Sequence, residues 1–247
     1  MAVVLVAGGA TGIGAAVIRA LRARGDHVLL ADRRSPDSTV VASELPGAVR
    51  FVQVDFAGSD WAAGVVAAAV ELGAGQLDAV FYNAAVLEAH PLDQWTVEQW
   101  DRAAAVNLRA PFLLTQAAQP WLEASPHGRV LVTSSTGALR GHAGMPAYHA
   151  TKSGLLGLVR ALADELGPAG VTVNAVCPGW IDTAFNADFW DHQQDPAAAL
   201  ADLESRIPLR RQGEPHDVVG TALFLLSPDS GYVSGQAFVV DGGYTAV

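Results

Sequence analysis

Lysine is almost absent from this chain of 247 residues: Lys152 is the sole example, and every other basic side chain is an arginine. Cysteine is as scarce. The lone Cys177 excludes an intramolecular disulfide, and no Cys/His cluster has metal-ligand spacing. Neither a disulfide scaffold nor a structural metal is expected, and a reducing, cytoplasmic setting fits. Positive charge is short overall, with a formal net charge of -10, a pI near 5.0 and no basic run. Nucleic acid is therefore not an expected partner. No apolar run is long enough to span a bilayer and no basic leader precedes the first apolar segment, so no membrane association is expected. Heavy use of alanine, arginine and glycine in place of lysine points to a GC-rich bacterial genome.

What is present is a hydrophobic fraction of 51% and a mean hydropathy of +0.26, enough for one large core with part of the surface left for self-association. Short β-branched runs alternate with alanine- and leucine-rich stretches from end to end. Val3 to Ala7, Val28 to Ala31, Val49 to Val54, Ala79 to Tyr82, Val130 to Thr133, Val171 to Cys177 and Phe238 to Val240 read as strands. Most are apolar at every position, as strands buried on both faces are. Helices are predicted from about Ile13 to Arg24, Trp61 to Leu72, Val97 to Glu123, Ala147 to Leu166 and Glu214 to Leu226, with Pro111 kinking the third. Strict alternation predicts a single-domain α/β fold of Rossmann type, a doubly wound parallel sheet with helices on both faces.

Lys152 stands four residues after Tyr148 on the fourth of these helices. Residues i and i+4 share a helix face, so phenol and ammonium act on one small volume. A positive charge there favours the phenolate and is expected to draw the tyrosine pKa down from about 10 toward neutrality, where a general acid/base works best. An arginine carries the same charge as a wide planar fork and cannot make the same compact approach.

At the other end of the chain, Gly8, Gly12 and Gly14 punctuate the turn from the first strand into the first helix. Such a turn lets backbone approach a pyrophosphate at a helix N-terminus. Asp32 closes the second strand, about twenty residues further on, where a carboxylate accepts from an adenosine ribose and repels a 2′-phosphate. Arg33 and Arg34 follow it and could pair that phosphate, but Thr11 adds no positive charge to the turn. NAD is therefore expected over NADP.

Gly8-x-x-x-Gly12-x-Gly14, Ser135 thirteen residues before Tyr148, and Lys152 after it together resemble the short-chain dehydrogenase/reductase family over essentially the whole chain. The resemblance implies Tyr148 as general acid/base, Ser135 as hydrogen-bond partner of the substrate oxygen, and Lys152 as holder of the nicotinamide ribose. It implies that Asn107 holds, through its backbone carbonyl, a water that leads protons to the lysine. It places Gly8, Thr11, Gly12, Ile13 and Gly14 at the pyrophosphate, Asp32 and Arg33 at the ribose, and Asp55 and Phe56 at the adenine. Asn83, Pro178, Gly179, Ile181 and Thr183 are carried over to the nicotinamide side; Tyr82 and Ala85 depart from the family's usual residues around Asn83. The implied assembly, consistent with the apolar C-terminal run Gln236 to Val247, is a homotetramer.

The expected reaction is hydride transfer between a nicotinamide and a small secondary alcohol, such as a sugar, polyol or cyclic alcohol, and its ketone. An NADPH-dependent 3-oxoacyl reductase and a non-catalytic dinucleotide-binding sensor are the alternatives. Residues from about 182 to 208 interrupt the strand-helix alternation and read as a substrate lid. Its carboxylates Asp182, Asp188, Asp191, Asp195, Asp202 and Glu204 predict poor acceptance of anions, and Trp180, Phe185, Phe189 and Trp190 offer apolar cover. His142 and Met145, between Ser135 and Tyr148, are placed to touch substrate. His149 points away from Tyr148 by helix geometry and reads as a surface or interface residue, and Cys177 as a small core residue.

Overall fold

The structure is a computed structural model that describes residues 1–41, 44–191 and 193–247, with the side chains of Asp188 and Asp191 outside that description. Along the chain the elements are β1 (Val3–Ala7), α1 (Gly12–Ala23), β2 (His27–Asp32), α2 (Ser38–Val41), β3 (Val49–Gln53), α3 (Ala62–Leu72), β4 (Ala79–Tyr82) and α4 (Val97–Ala104). They continue as α5 (Ala110–Ala124), β5 (Arg129–Thr133), α6 (Pro146–Leu166), β6 (Thr172–Pro178), α7 (Ala187–Asp191), α8 (Pro196–Arg206), α9 (Pro215–Leu225) and β7 (Ala237–Val240).

All five residues of β1 are apolar and buried. Val3, Leu5 and Ala7 enter one core, and Val4 and Val6 the other, so the period-two alternation of a strand feeds two apolar layers. The first core is covered by α3, α5 and α6 through Val65, Leu114 and Val159, and the second by α1 and α9 through Ile18, Leu21, Val218 and Ala222. Seven parallel strands pair in the order β3-β2-β1-β4-β5-β6-β7. The chain thus winds outward from β1, returns across it and winds out the other way. Loops leaving the carboxyl ends of β1 and β4 diverge at that reversal and open a crevice. The single-domain, doubly wound parallel sheet expected from the alternation is what forms.

One helical prediction needs correction. The stretch Val97 to Glu123 is two α-helices joined by a π-helical segment, Ala105–Arg109. The cause lies just beyond it: Pro111 has no N–H, so the carbonyl four residues back, that of Asn107, loses its α-helical donor. A wider turn absorbs the mismatch, and Pro111 becomes part of the first turn of α5.

Candidate active site

The crevice is a cleft of about 1030 Å³ that runs from the glycine turn, past Ser135, Tyr148 and Lys152, to Trp180 and Phe185. At the dinucleotide end, Gly8 has φ +82°, and a Cβ there would fall 2.3 Å from the Ala84 nitrogen. A Cβ at Gly14 would strike the Gly8 carbonyl at 2.2 Å. Only glycine allows β1, the turn and the β4 loop to close this tightly. Thr11 precedes α1 but its side chain makes no cap; its hydroxyl instead accepts from Arg34 Nη2 at 3.2 Å. The first-turn N–H groups of α1 thus face the cleft without a side-chain cap, an arrangement that suits an anionic group.

Asp32 is buried at the end of β2, with Oδ2 accepting from the Ala10 N–H and Oδ1 from the Arg34 N–H, both at 3.0 Å. Each carboxylate oxygen retains a further lone pair. Asp55 Oδ1 accepts from the Ala57 N–H at 2.9 Å, and Phe56 is packed edge-on between Trp61 and Tyr82 while still lining the cleft. Ile13, Arg33, Pro178, Gly179, Ile181 and Thr183 line it as well.

A chain of polar contacts joins this end to the lysine. Asn83 Nδ2 donates to the Gly8 carbonyl at 2.7 Å, Thr133 Oγ1 donates to Asn83 Oδ1 at 2.9 Å, and Lys152 Nζ donates to the Thr133 carbonyl at 2.6 Å. Ser134 donates to the Lys152 carbonyl at 2.8 Å, fixing α6 against the end of β5. Asn107, fully buried, accepts from the Val86 N–H and donates to the Val86 carbonyl and to Thr151 Oγ1. Its side chain therefore ties the loop after β4 to α6, while its backbone carbonyl lies in the π-helical segment. Tyr82, where the sequence departs from the family pattern, donates its hydroxyl to the Val106 carbonyl at 2.7 Å and supports the same segment.

Tyr148 and Lys152 share a face of α6 as their spacing requires, with Nζ 5.6 Å from the phenol ring centroid. Burial pushes the Tyr148 phenol up to about 12, with only the Ser135 side chain pulling it down, and burial presses Lys152 down to about 7. Both shifts have one cause, the loss of solvent around groups whose charged forms burial disfavours. Ser135 itself accepts the Gly137 N–H at 2.9 Å, which leaves its hydroxyl proton available.

Around the reacting end, His142, Met145, Trp180 and Phe185 all line the cleft. His142 stacks on His149 and meets Trp180 edge-on, and its Nε2 lies 3.3 Å from the Tyr244 hydroxyl. Burial, then His149, Arg140 and Arg206, push His142 below its ordinary pKa, so it is neutral at pH 7. His149 is not a surface residue. Its Nε2 accepts the His142 N–H at 2.9 Å, so Nδ1 carries the proton and donates to the Gly137 carbonyl at 2.7 Å. Both nitrogens pin the loop between Ser135 and α6.

The segment from about 182 to 208 folds into α7 and α8, and of its described carboxylates only Asp182 lines the cleft. Asp195 caps α8 by accepting the Ala198 N–H, Asp202 pairs with Arg206, and Glu204 accepts the Gln212 N–H at 3.4 Å. Asp188 and Asp191 lie outside the described side chains. Local structure thus uses Asp195, Asp202 and Glu204, and these three do not line the cleft. Sequence reading missed Glu88, His90, Gln99 and Asn186 on the cleft wall and Tyr244 behind it. The signal available for Glu88 and His90 was the long connection between β4 and α4.

A protein-family model described as enoyl-(acyl carrier protein) reductase matches residues 8–245. A probable galactose dehydrogenase of Rhizobium meliloti is 35% identical over 244 residues, 97% of this chain and 93% of the relative. A (2S)-[(R)-hydroxy(phenyl)methyl]succinyl-CoA dehydrogenase subunit of Thauera aromatica is 44% identical over 138 residues, 56% of this chain. That match, like those to several other curated relatives, spans only about half of the relative's length, 53% in this case. The crystal structure of levodione reductase superposes with a TM-score of 0.93 at 29% identity, covering 100% of this chain and 98% of that one. Solved neighbours of the fold include one in complex with NAD and one with bound NADP. With a family model over nearly its whole length and this fold, the chain belongs to the short-chain dehydrogenase/reductase family of oxidoreductases.

Proposed function

We propose that the protein is an NAD-dependent oxidoreductase that interconverts a small uncharged secondary alcohol, of the sugar, polyol or cyclic-alcohol kind, and its ketone. The observation that carries this reading is the convergence of Ser135, Tyr148 and Lys152 at one end of a cleft whose other end is the Gly8 to Gly14 turn, with Asn107 buried behind them against Thr151. The bound dinucleotide would supply the hydride acceptor in one direction and the hydride donor in the other. The chain's own groups do the rest. Ser135 offers its free hydroxyl proton to the substrate oxygen. Tyr148 takes the carbinol proton at its phenolic oxygen during oxidation and returns it during reduction. Burial holds Lys152 down to about 7, hydroxyl partners at its ammonium would favour the charged form, and that charge favours the phenolate.

NAD is preferred in this reading because the Asp32 carboxylate, fixed under the glycine turn, repels a 2′-phosphate. Arg34, held against Thr11, keeps some NADP tolerance. The test is a screen of aldoses, polyols, cyclic alcohols and their ketones with each dinucleotide, with dinucleotide affinity measured separately by fluorescence titration. NAD should win in both affinity and kcat/KM, and Asp32→Ala should shift the NADP/NAD ratio upward by about tenfold. A wild-type preference for NADP reverses the cofactor assignment, and no turnover of any alcohol or ketone with either dinucleotide refutes the enzyme reading.

A further inference from the structure

The loops that follow β4 and β6 stand on either side of Ser135, because β5 lies between those two strands in the sheet. The β6 side is aromatic: Trp180 and Phe185 line the cleft, and Phe185 lies 6.2 Å from the Tyr148 ring. The β4 side is polar, with Glu88, His90 and Gln99 in the same cleft. Their arrangement is fixed from outside the site. Gln99 belongs to the capping box of α4, where its Oε1 accepts the Thr96 N–H at 2.9 Å. Its amide nitrogen must therefore face His90 Nε2, 3.0 Å away, and donate to it. In neutral His90 the proton then sits on Nδ1, so Nε2 has none to give to Glu88 Oε2 at 3.5 Å. Among the described residues the half-buried Glu88 carboxylate accepts no hydrogen bond. Its loop is anchored beside the catalytic helix, since the His90 N–H donates to the Gly144 carbonyl at 2.9 Å, next to Met145.

A half-buried carboxylate with unused lone pairs on the wall of a substrate cleft is an acceptor awaiting donors. We propose that Glu88 is a specificity-determining residue that selects polyhydroxylated ring substrates, aldoses or cyclic polyols, by accepting hydrogen bonds from hydroxyls neighbouring the reacting carbinol, while Trp180 and Phe185 cover the ring's C–H face. The same carboxylate disfavours anionic substrates. A monofunctional ring alcohol leaves Glu88 without donors and binds through the aromatic side alone. This inference rests on the oxidoreductase reading above.

The test compares wild type and Glu88→Gln on the best aldose or inositol of the screen and on cyclohexanol, both with NAD. Wild type should favour the polyhydroxylated ring. Glu88→Gln, nearly isosteric, should raise its KM about tenfold with a smaller change in kcat, lowering the ratio of kcat/KM for polyol over cyclohexanol by about that factor. Glu88→Ala should lower that ratio further, and unchanged NAD affinity would show that either variant is folded. A ratio that does not move, or a wild type that prefers cyclohexanol, overturns the proposal while leaving the oxidoreductase reading intact. A wild type that turns over neither alcohol sinks that reading, and this proposal with it.

Discussion

The floor of the cleft and its rim are built by different rules. On the floor, Asn83, Asn107 and Lys152 are tied to backbone groups at the end of β5 or in the loops that follow β1 and β4, and Ser134, just after β5, is tied to a backbone carbonyl of α6. On the rim, Glu88, His90, Gln99, His142, Trp180 and Tyr244 meet one another through side chains carried by loops, the first turn of α4 and the C-terminal segment. Floor positions inherit the rigidity of the sheet, so they can hold reacting groups in fixed geometry. Rim positions can change without disturbing the sheet, which suits them to choosing among substrates. If that division is right, floor variants should act on kcat and its pH dependence, and rim variants on KM.

The largest effect should come from Tyr148→Phe. Removing the phenolic oxygen deletes the proton carrier while its ring stays packed beside Phe185. Turnover should fall on the order of 10³-fold or more, with NAD affinity within about twofold of wild type. In wild type, the oxidation rate should rise with pH, because oxidation draws on the phenolate form of Tyr148, whereas reduction, which draws on the phenol, should not rise with it. A flat oxidation profile would mean that another group takes the proton.

Lys152 sharpens the contrast in a second way, because function and stability pull in opposite directions there. An ammonium with a pKa near 7 inside the protein, against an ordinary value of 10.5, is a buried charge that the folded state disfavours. Between those two values the unfolded chain binds more protons than the folded one, so wild-type stability rises with pH across that window, and below it the penalty is at its full size. Lys152→Met should therefore abolish activity yet stabilise the empty protein by about 2 kcal/mol at pH 6, after the lost bond to the Thr133 carbonyl is set against it. The gain should shrink toward pH 10. Urea denaturation at several pH values measures it, and a variant less stable than wild type at pH 6 would show the lysine to be structural.

The same division decides what the sequence could reveal. Floor residues were legible because their signals are local: an apolar strand, glycines at fixed spacing, a tyrosine and lysine one helical turn apart. Even the π-helical segment is written locally, in Pro111 standing four residues after Asn107, although the proline was read only as a kink. The rim was mostly illegible. Tyr244 and His142 are separated by 102 residues, and no periodicity in either segment encodes their meeting, which the β5-β6-β7 order brings about. Lid carboxylates were misread for the converse reason. Charge in a sequence suggests a field, yet Asp195 and Asp202 serve a helix cap and an i,i+4 pair. At Tyr148, likewise, spacing reports proximity to a charge but not the loss of solvent around both groups.

The smallest expected effect is also the one that most directly probes the rim. Tyr244 is buried under α8 with Leu203 and Ile207, its ring lies 4.3 Å from the Arg140 guanidinium carbon, and Arg140 Nη1 donates to its carbonyl at 3.0 Å. Tyr244→Phe keeps all of those contacts and removes only the hydroxyl beside His142 Nε2. At 3.3 Å between neutral partners that contact is a weak hydrogen bond, worth about 0.5 kcal/mol net. His142 remains stacked on His149 and edge-on to Trp180, so its ring should stay in place with looser orientation. KM for the preferred substrate should rise about twofold while kcat and the pH profile of oxidation stay unchanged. A tenfold fall in kcat with KM unmoved would place this distant tyrosine among the groups that position the reacting atoms, and the line between floor and rim would have to be redrawn through His142.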